Sequence, residues 1–335
     1  MPIPFILAGA AIAAGAYGVK KGVDAKEDFE LAKTINARAK KKVDAADELL
    51  EKARKQTQNK LETYGKRKVN AIDVGLKAWK AEFDSFKNVD LSKVEAADVG
   101  SVDISKTILT LNRLQVSLTE CGLGGGAAVS SGAIAGFAAY GGVQALAAAS
   151  TGTAISSLSG AAATNATLAW LGGGALGTSS TAFGMAGGTA VLGGVVAGPI
   201  LAVGGMMLAS KAEEAYEQAR ANERKAEAYE KQKKAASAAT NRIYKAASDL
   251  DLLLVKLTRL LGGFTIELSK IAYRETDYRK LTKDEQVKLA HSALMAKLVV
   301  GVIECPLLLE DGSVSVKGKA LIEDTNAVLE KINSI

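Results

Sequence analysis

Residues 125–149 read GGAAVSSGAIAGFAAYGGVQALAAA, and residues 183–209 read FGMAGGTAVLGGVVAGPILAVGGMMLA. They are the apolar ends of a longer block, Cys121 to Ser210, that contains no Asp, Glu, Lys, Arg or His. Glu120 and Lys211 bracket it. About a quarter of the residues of an average soluble domain are charged, so a solvent-facing surface does not avoid charge for so long. Uncharged runs beyond about 18 residues point to a bilayer or to a fully buried position. At about 1.5 Å per residue, 125–149 makes a helix of about 36 Å, enough to cross a bilayer. Residues 150–168 are rich in Ser, Thr, Gly and Asn and read as a polar turn region. The block is therefore expected to be an apolar helical hairpin. Trp170 is the candidate for a membrane interface, where an indole keeps one wet edge.

Within the block, glycines recur at four-residue spacing: Gly132 and Gly136, Gly173 and Gly177, Gly184 and Gly188, Gly194 and Gly198. A helix puts each pair on one face, where a second helix can approach closely. Leu, Ile, Phe and Val each favour insertion by roughly 0.3–0.6 kcal/mol at the membrane centre. Most positions here are instead Ala, Gly, Ser or Thr, which contribute little. The hairpin is thus a marginal spanner and a good packer. It is expected to insert when helices associate or a trigger exposes it, and to fold against the rest of the chain before that. A constitutive two-pass membrane protein and a soluble domain with a buried glycine-rich hairpin are the alternatives.

Outward from the block lie two charged arms. From about Val19 to Lys87, apolar residues recur at helical spacing: Leu31, Ile35, Val43, Leu49, Leu50, Leu61, Val69, Ile72, Leu76, Trp79, Phe83 and Phe86. Helix formers dominate and no proline interrupts, which predicts one long helix or two stacked ones, with Gly65 and Gly75 as weak points. A connection over Asn88–Val102 leads to a helix near Ile104–Glu120, with Ile104, Ile108, Leu111, Leu114 and Leu118 on one face. The second arm runs from about Met207 to Leu261. Its first half is highly charged and predicts a helix that projects into water or pairs along a narrow seam. Its second half, with Ile243, Leu250, Leu253, Leu254, Leu257 and Leu261, predicts docking on the body. Gly262 and Gly263 are expected to end it, and Ile266–Arg274 to form a separate helix. Thr282-Lys283-Asp284-Glu285 reads as a capping box for a helix reaching about Ile303, stopped by Pro306. Residues 307–316 read as a small hairpin or a plain loop, and Lys317–Ile332 as a last helix.

The fold class is accordingly all-α: long helical arms, as a coiled coil or bundle, around the Gly/Ala-rich hairpin. The expected organisation is an apolar N-terminal segment (1–19), a first arm (20–120), the uncharged hairpin (121–210), a second arm (211–263) and a C-terminal helical subdomain (264–335).

Aromatic residues make up 5% of the chain, so its apolar character comes largely from Ala and Gly. These bury little area each, and such a core is held by close backbone packing. The net charge of +6 is spread over interleaved acids and bases, as in Lys52, Arg54 and Lys55 among Glu48, Glu51 and Glu62. That pattern is a solvated helix face and gives no nucleic-acid stripe. Two cysteines, Cys121 and Cys305, imply no disulfide framework and fit a reducing cytoplasm. Residues 3–19 form an apolar run followed by Lys20 and Lys21, without the preceding positive charge of a signal peptide. The run is read as retained, either as an anchor or packed on the body, with export as the alternative. If it spans, Lys20, Lys21 and Lys26 favour arms in the cytoplasm. The expected location is cytoplasmic, inner-membrane associated, or both.

Catalytic readings fail on chemistry. GGGALG at 172–177 matches GxGxxG, but a dinucleotide site wants an acidic residue about 20 positions on, and none lies between Glu120 and Glu213. No Walker A pattern occurs. His291 is the only histidine and is read as structural or exposed. One His and two distant Cys draw no zinc site, and no GxSxG elbow appears. The expectation is a non-enzyme with no cofactor, no metal and no small-molecule substrate.

In layout the chain resembles the α-helical pore-forming toxins of the cytolysin A and haemolysin BL type. These pair long amphipathic helices with an apolar hairpin that is hidden in the soluble form and enters the membrane on assembly. STGTAISSLSGAAATNATLAWLGGGALG (150–177) and TAVLGGVVAGPILAVGG (189–205) are also similar to a group of bacterial proteins to which no function is attached. The first resemblance implies an oligomerising protein that perforates a bilayer, as a homo-oligomer or with companion subunits. The chain departs from secreted toxins in its N-terminus, which fits an intracellular defence effector. A membrane-shaping scaffold and a soluble helical interaction protein are the rival expectations.

Overall fold

A computed structural model of the chain describes residues 19–91, 103–120, 131–140, 212–309 and 313–333. It is all-α. Among these residues there is no β-strand, and the bridges Lys87–Asp277 and Leu308–Val314 stand isolated. The first arm is α1 (Val19–Asn70), a π-helical stretch (Ala71–Leu76) and α2 (Lys77–Phe83) in direct succession. Gly65 does not break it, and Gly75 lies inside the π-helical stretch. Then come α3 (Ile104–Glu120), α4 (Ser131–Tyr140), α5 (Ala212–Arg274), α6 (Lys283–Glu304) and α7 (Lys317–Asn333).

α5 runs through Gly262 and Gly263, which corrects the expected stop there. A glycine C-cap needs a left-handed backbone, and neither glycine adopts one. Buried Leu261, Leu268 and Ile271 on both sides hold the helix against the body, and this packing outweighs about 1 kcal/mol of propensity lost per glycine. The capping box forms as its spacing predicts: Glu285 N–H donates to Thr282 Oγ1, and Thr282 N–H donates to Glu285 Oε2 at 2.9 Å. After Pro306, Leu309 N–H donates to Ser313 O and Ser315 N–H to Leu307 O, a minimal hairpin around the Leu308–Val314 bridge.

The described residues form two compact units, each drawing on both arms: 19–55 with 212–239, and 56–140 with 240–333. The first unit is a narrow seam between α1 and α5. Ala32, Ile35 and Ala219 make one small core, and Ala39, Val43 and Ala226 a second. Leu31 and Leu49, counted on the buried stripe from their spacing, are exposed, because alanines occupy the seam. Polar pairs fix its register. Asn222 Nδ2 donates to Asn36 Oδ1 (3.1 Å), Lys42 meets Glu227 (2.8 Å), and Asp47 accepts from Tyr229 (2.7 Å) and Lys233 (3.0 Å).

The second unit holds the main core. α3 packs on α6 and on the π-helical stretch, α2 packs on α6, and α7 covers α6. Trp79 is fully buried, with its indole N–H donated to Ser292 Oγ at 3.1 Å. Asp251, 1% exposed, accepts from Lys60 (2.5 Å) and Arg67 (3.0 Å). At the end of the first arm Asn88 takes a left-handed φ of 58°, and its side-chain amide donates to Asp277 Oδ1 at 3.1 Å. Within both units the sequence separation of paired residues on the two arms stays between 182 and 191. A constant separation means that α1 and α5 run parallel.

Candidate functional site

α4 is the described part of the uncharged segment 121–210, which the sequence leads one to expect as an apolar hairpin. Its residues Ile134, Ala135, Phe137, Ala138 and Ala139 are all buried, none more than 5% exposed. It is a ten-residue helix, about 15 Å long. The remainder of 125–149, and the whole of 183–209, lie outside the described residues. So do Gly173, Gly177, Gly184, Gly188, Gly194, Gly198 and Trp170. Gly132 lies in the first turn of α4. At Gly136 a Cβ would meet nothing within 4 Å among the described residues.

The close approach in this seat is made by α1. A Cβ built on Gly65 would stand 2.2 Å from the carbonyl oxygen of Ile134 and 2.6 Å from its Cγ2. A glycine here lets the two backbones meet. One turn further along α1 is Lys68, fully buried, with Nζ 3.5 Å from Phe137 O and 3.3 Å from Ala138 O. Leu307 N–H and Leu308 N–H both donate to Ala139 O at 2.9 Å. The last carbonyls of a helix lack partners within it and carry its negative dipole end, so a lysine and two amides are chemically suited to this place. The Lys68 amine also lies 4.6 Å from the Tyr64 ring centre and 5.6 Å from that of Phe137.

Burial without a counter-charge sets the electrostatics. Among the described residues no carboxylate lies within 4 Å of Lys68 Nζ. Desolvation lowers its pKa from 10.5 to about 7, against a smaller opposing effect of Cys305. That difference corresponds to roughly 5 kcal/mol less favourable charging in the seat than in water. Burial pushes the Tyr64 phenol well above 10 and the Cys305 thiol above 9. Full burial of Ile134 and Phe137 contributes about 1.5–3 kcal/mol each. The two contributions are of similar size, so the charge on one lysine can decide how firmly α4 is held.

Other polar places offer less. His291 is buried, with its ring 6.1 Å from that of Phe264 and Nε2 without a partner among the described residues; burial lowers its pKa. A shallow groove of about 480 Å³ is lined by Gln56, Asn59, Lys60, Thr63, Asn241 and Tyr244, a set without a nucleophile–base pair. Among the described residues no three His, Cys, Asp or Glu side chains converge as metal ligands.

The seat was only partly readable from spacing. Gly65 looks like a weak point in a helix until its neighbour is known. Lys68 falls in register with buried Leu61, Tyr64, Ile72, Leu76 and Trp79, and that register is the signal that marks it as buried. No protein family, curated protein or solved structure matches the chain.

Proposed function

We propose that this chain is an oligomerising, non-enzymatic α-helical protein that inserts its uncharged segment into a bilayer and permeabilises it, acting from the cytoplasm. The observation that carries this reading is the seat of α4. A stretch with the composition of a marginal membrane helix is buried over residues 134–139 in the body, on a lysine and a glycine of the first arm. Residues 134–139 present no face to lipid in this seat, so their insertion requires α4 to leave it. Hidden storage of an apolar helix is what a conditional inserter needs, and a constitutive span does not.

The parallel pairing of the arms adds support. The chain enters α1 and α5 at the same end of the pair, so the apolar runs 3–19 and 183–209 both lead into that end. Segments that approach a bilayer together can insert as neighbours, with the small residues at Gly184, Gly188, Gly194 and Gly198 as contact faces. Among the described residues, α6 is the helix long and apolar enough to cross a membrane, but most of it is buried under α2, α3 and α7, as in a core helix. The proposed working parts are therefore 125–149 and 183–209, the lipid bilayer is the partner, and further copies or companion subunits complete the assembly.

A membrane-shaping scaffold is the second reading, favoured by the long parallel seam of small residues, which suits a rod. Dye-loaded liposomes with anionic lipid separate the two. Leakage together with flotation is expected for perforation. Bound or deformed vesicles that retain dye would support the scaffold, and no flotation under any lipid or pH condition would overturn both.

A further inference from the structure

A helix that must be released needs a catch, and the seat contains one with unusual chemistry. Three successive carbonyls at the end of α4, those of Phe137, Ala138 and Ala139, are held from outside the helix. Two of them are held by an amine that is 0% exposed and faces two aromatic rings. A buried ammonium without a carboxylate is the costliest way to fill that position, whereas a neutral amine donates the same hydrogen bonds.

We propose that Lys68 is the catch that holds α4 in the body, and that placing a proton on its buried amine loosens the seat. The inference rests on the insertion reading for its purpose, but the catch itself is a property of the free protein.

The direction follows from linkage. Once released into water, the amine keeps its proton up to about 10.5; in the seat it keeps it only up to about 7. Between those values the released state binds one more proton than the seated state. Falling pH therefore favours release, by up to about tenfold per pH unit. Below about 7 both states are charged and the dependence ends. Other titratable groups face Lys68 or act on its neighbours. Tyr64, on α1, and Cys305, after α6, are both pushed upward by burial, which favours their neutral forms. Asp251 of α5, which acts on Tyr64, is held by Lys60 and Arg67, and Lys317 of α7 acts on Cys305. The described side chains of α4 bring no charged group.

Amide hydrogen exchange on the full chain tests this, with rates corrected for the intrinsic pH dependence. From pH 9 to 7 the protection of residues 135–139 should fall by up to about 100-fold, then level off below 7. Protection of 293–303 in α6 should not follow it. Lys68→Met should abolish the slope. Lys68→Arg, which stays charged throughout, should give low protection at every pH and serves if the Met variant does not fold. Constant wild-type protection from pH 9 to 7, an equal slope in α6, or a slope retained in Lys68→Met would overturn the catch. Liposome leakage is read in parallel. An exchange slope without leakage keeps the catch and removes the perforation reading; leakage without the slope does the reverse.

Discussion

The position of a Cβ on Gly65 lies 2.2 Å from the carbonyl oxygen of Ile134, closer than any side chain can come to a backbone oxygen. α1 and α4 therefore touch through a glycine, and no other residue fits. This contact gives a prediction of unusual sign. Gly→Ala in a helix ordinarily stabilises by about 0.5–1 kcal/mol. Gly65→Ala should instead destabilise by about 1–3 kcal/mol, because α4 or α1 must shift. It should also raise hydrogen exchange in 135–139. A variant with a raised melting temperature and unchanged exchange would show that the two helices are not in contact.

Gly262 and Gly263 supply the contrast. Both are exposed, both keep a helical backbone in α5, and a Cβ at either meets nothing within 4 Å. Gly262→Ala and Gly263→Ala should each raise stability by about 0.5–1 kcal/mol, read as an increase in thermal midpoint. A loss of stability in either would mean that α5 ends at the glycines after all.

One oxygen of Asp251, Oδ2, serves two cations, and its Oδ1 has no hydrogen-bond partner among the described residues. Asp251→Asn keeps the shape but removes the charge that Lys60 and Arg67 share. Because the Lys60 and Arg67 side chains are 19% and 46% exposed, water recovers part of the loss. The expected cost is about 2–3 kcal/mol, below the upper range for wholly buried pairs. Urea denaturation checks it through the midpoint at unchanged slope. A cost below about 0.5 kcal/mol would show that the trio contributes like an ordinary surface pair.

His291 gives a pH dependence on the acid side. Burial lowers its pKa below 6.5, so the unfolded chain takes up the proton first. Stability from this group is complete above about pH 6.5 and is lost as pH falls towards the folded pKa, by up to about 1.4 kcal/mol per pH unit. His291→Leu lacks this loss and fills an apolar place beside Phe264. Denaturation at pH 7.5 and 5.5 should show a smaller acid-side decrease in the variant than in the wild type. Equal decreases would place the imidazole in contact with water.

Periodicity, capping and composition already specify the helices in the sequence. The stripes from Ile35 to Phe86 and from Ile243 to Leu261, the Thr282–Glu285 box and Pro306 are local features, and local backbone energetics suffices to act on them. The lack of charge over 121–210 is equally a property of the sequence alone. What the tertiary structure decided is where neighbours override local rules. Packing of Leu268 and Ile271 carried α5 past two glycines. Alanines at 32, 39, 219 and 226 took the seam that larger Leu31 and Leu49 were expected to fill, because two backbones can approach closely only over small side chains. The parallel direction of α1 and α5 is set by partners 182 to 191 residues apart, a separation no local pattern encodes. Lys68 is the sharpest case: its register says buried and its charge says exposed, and only the carbonyl ends of α4 beside it resolve the conflict.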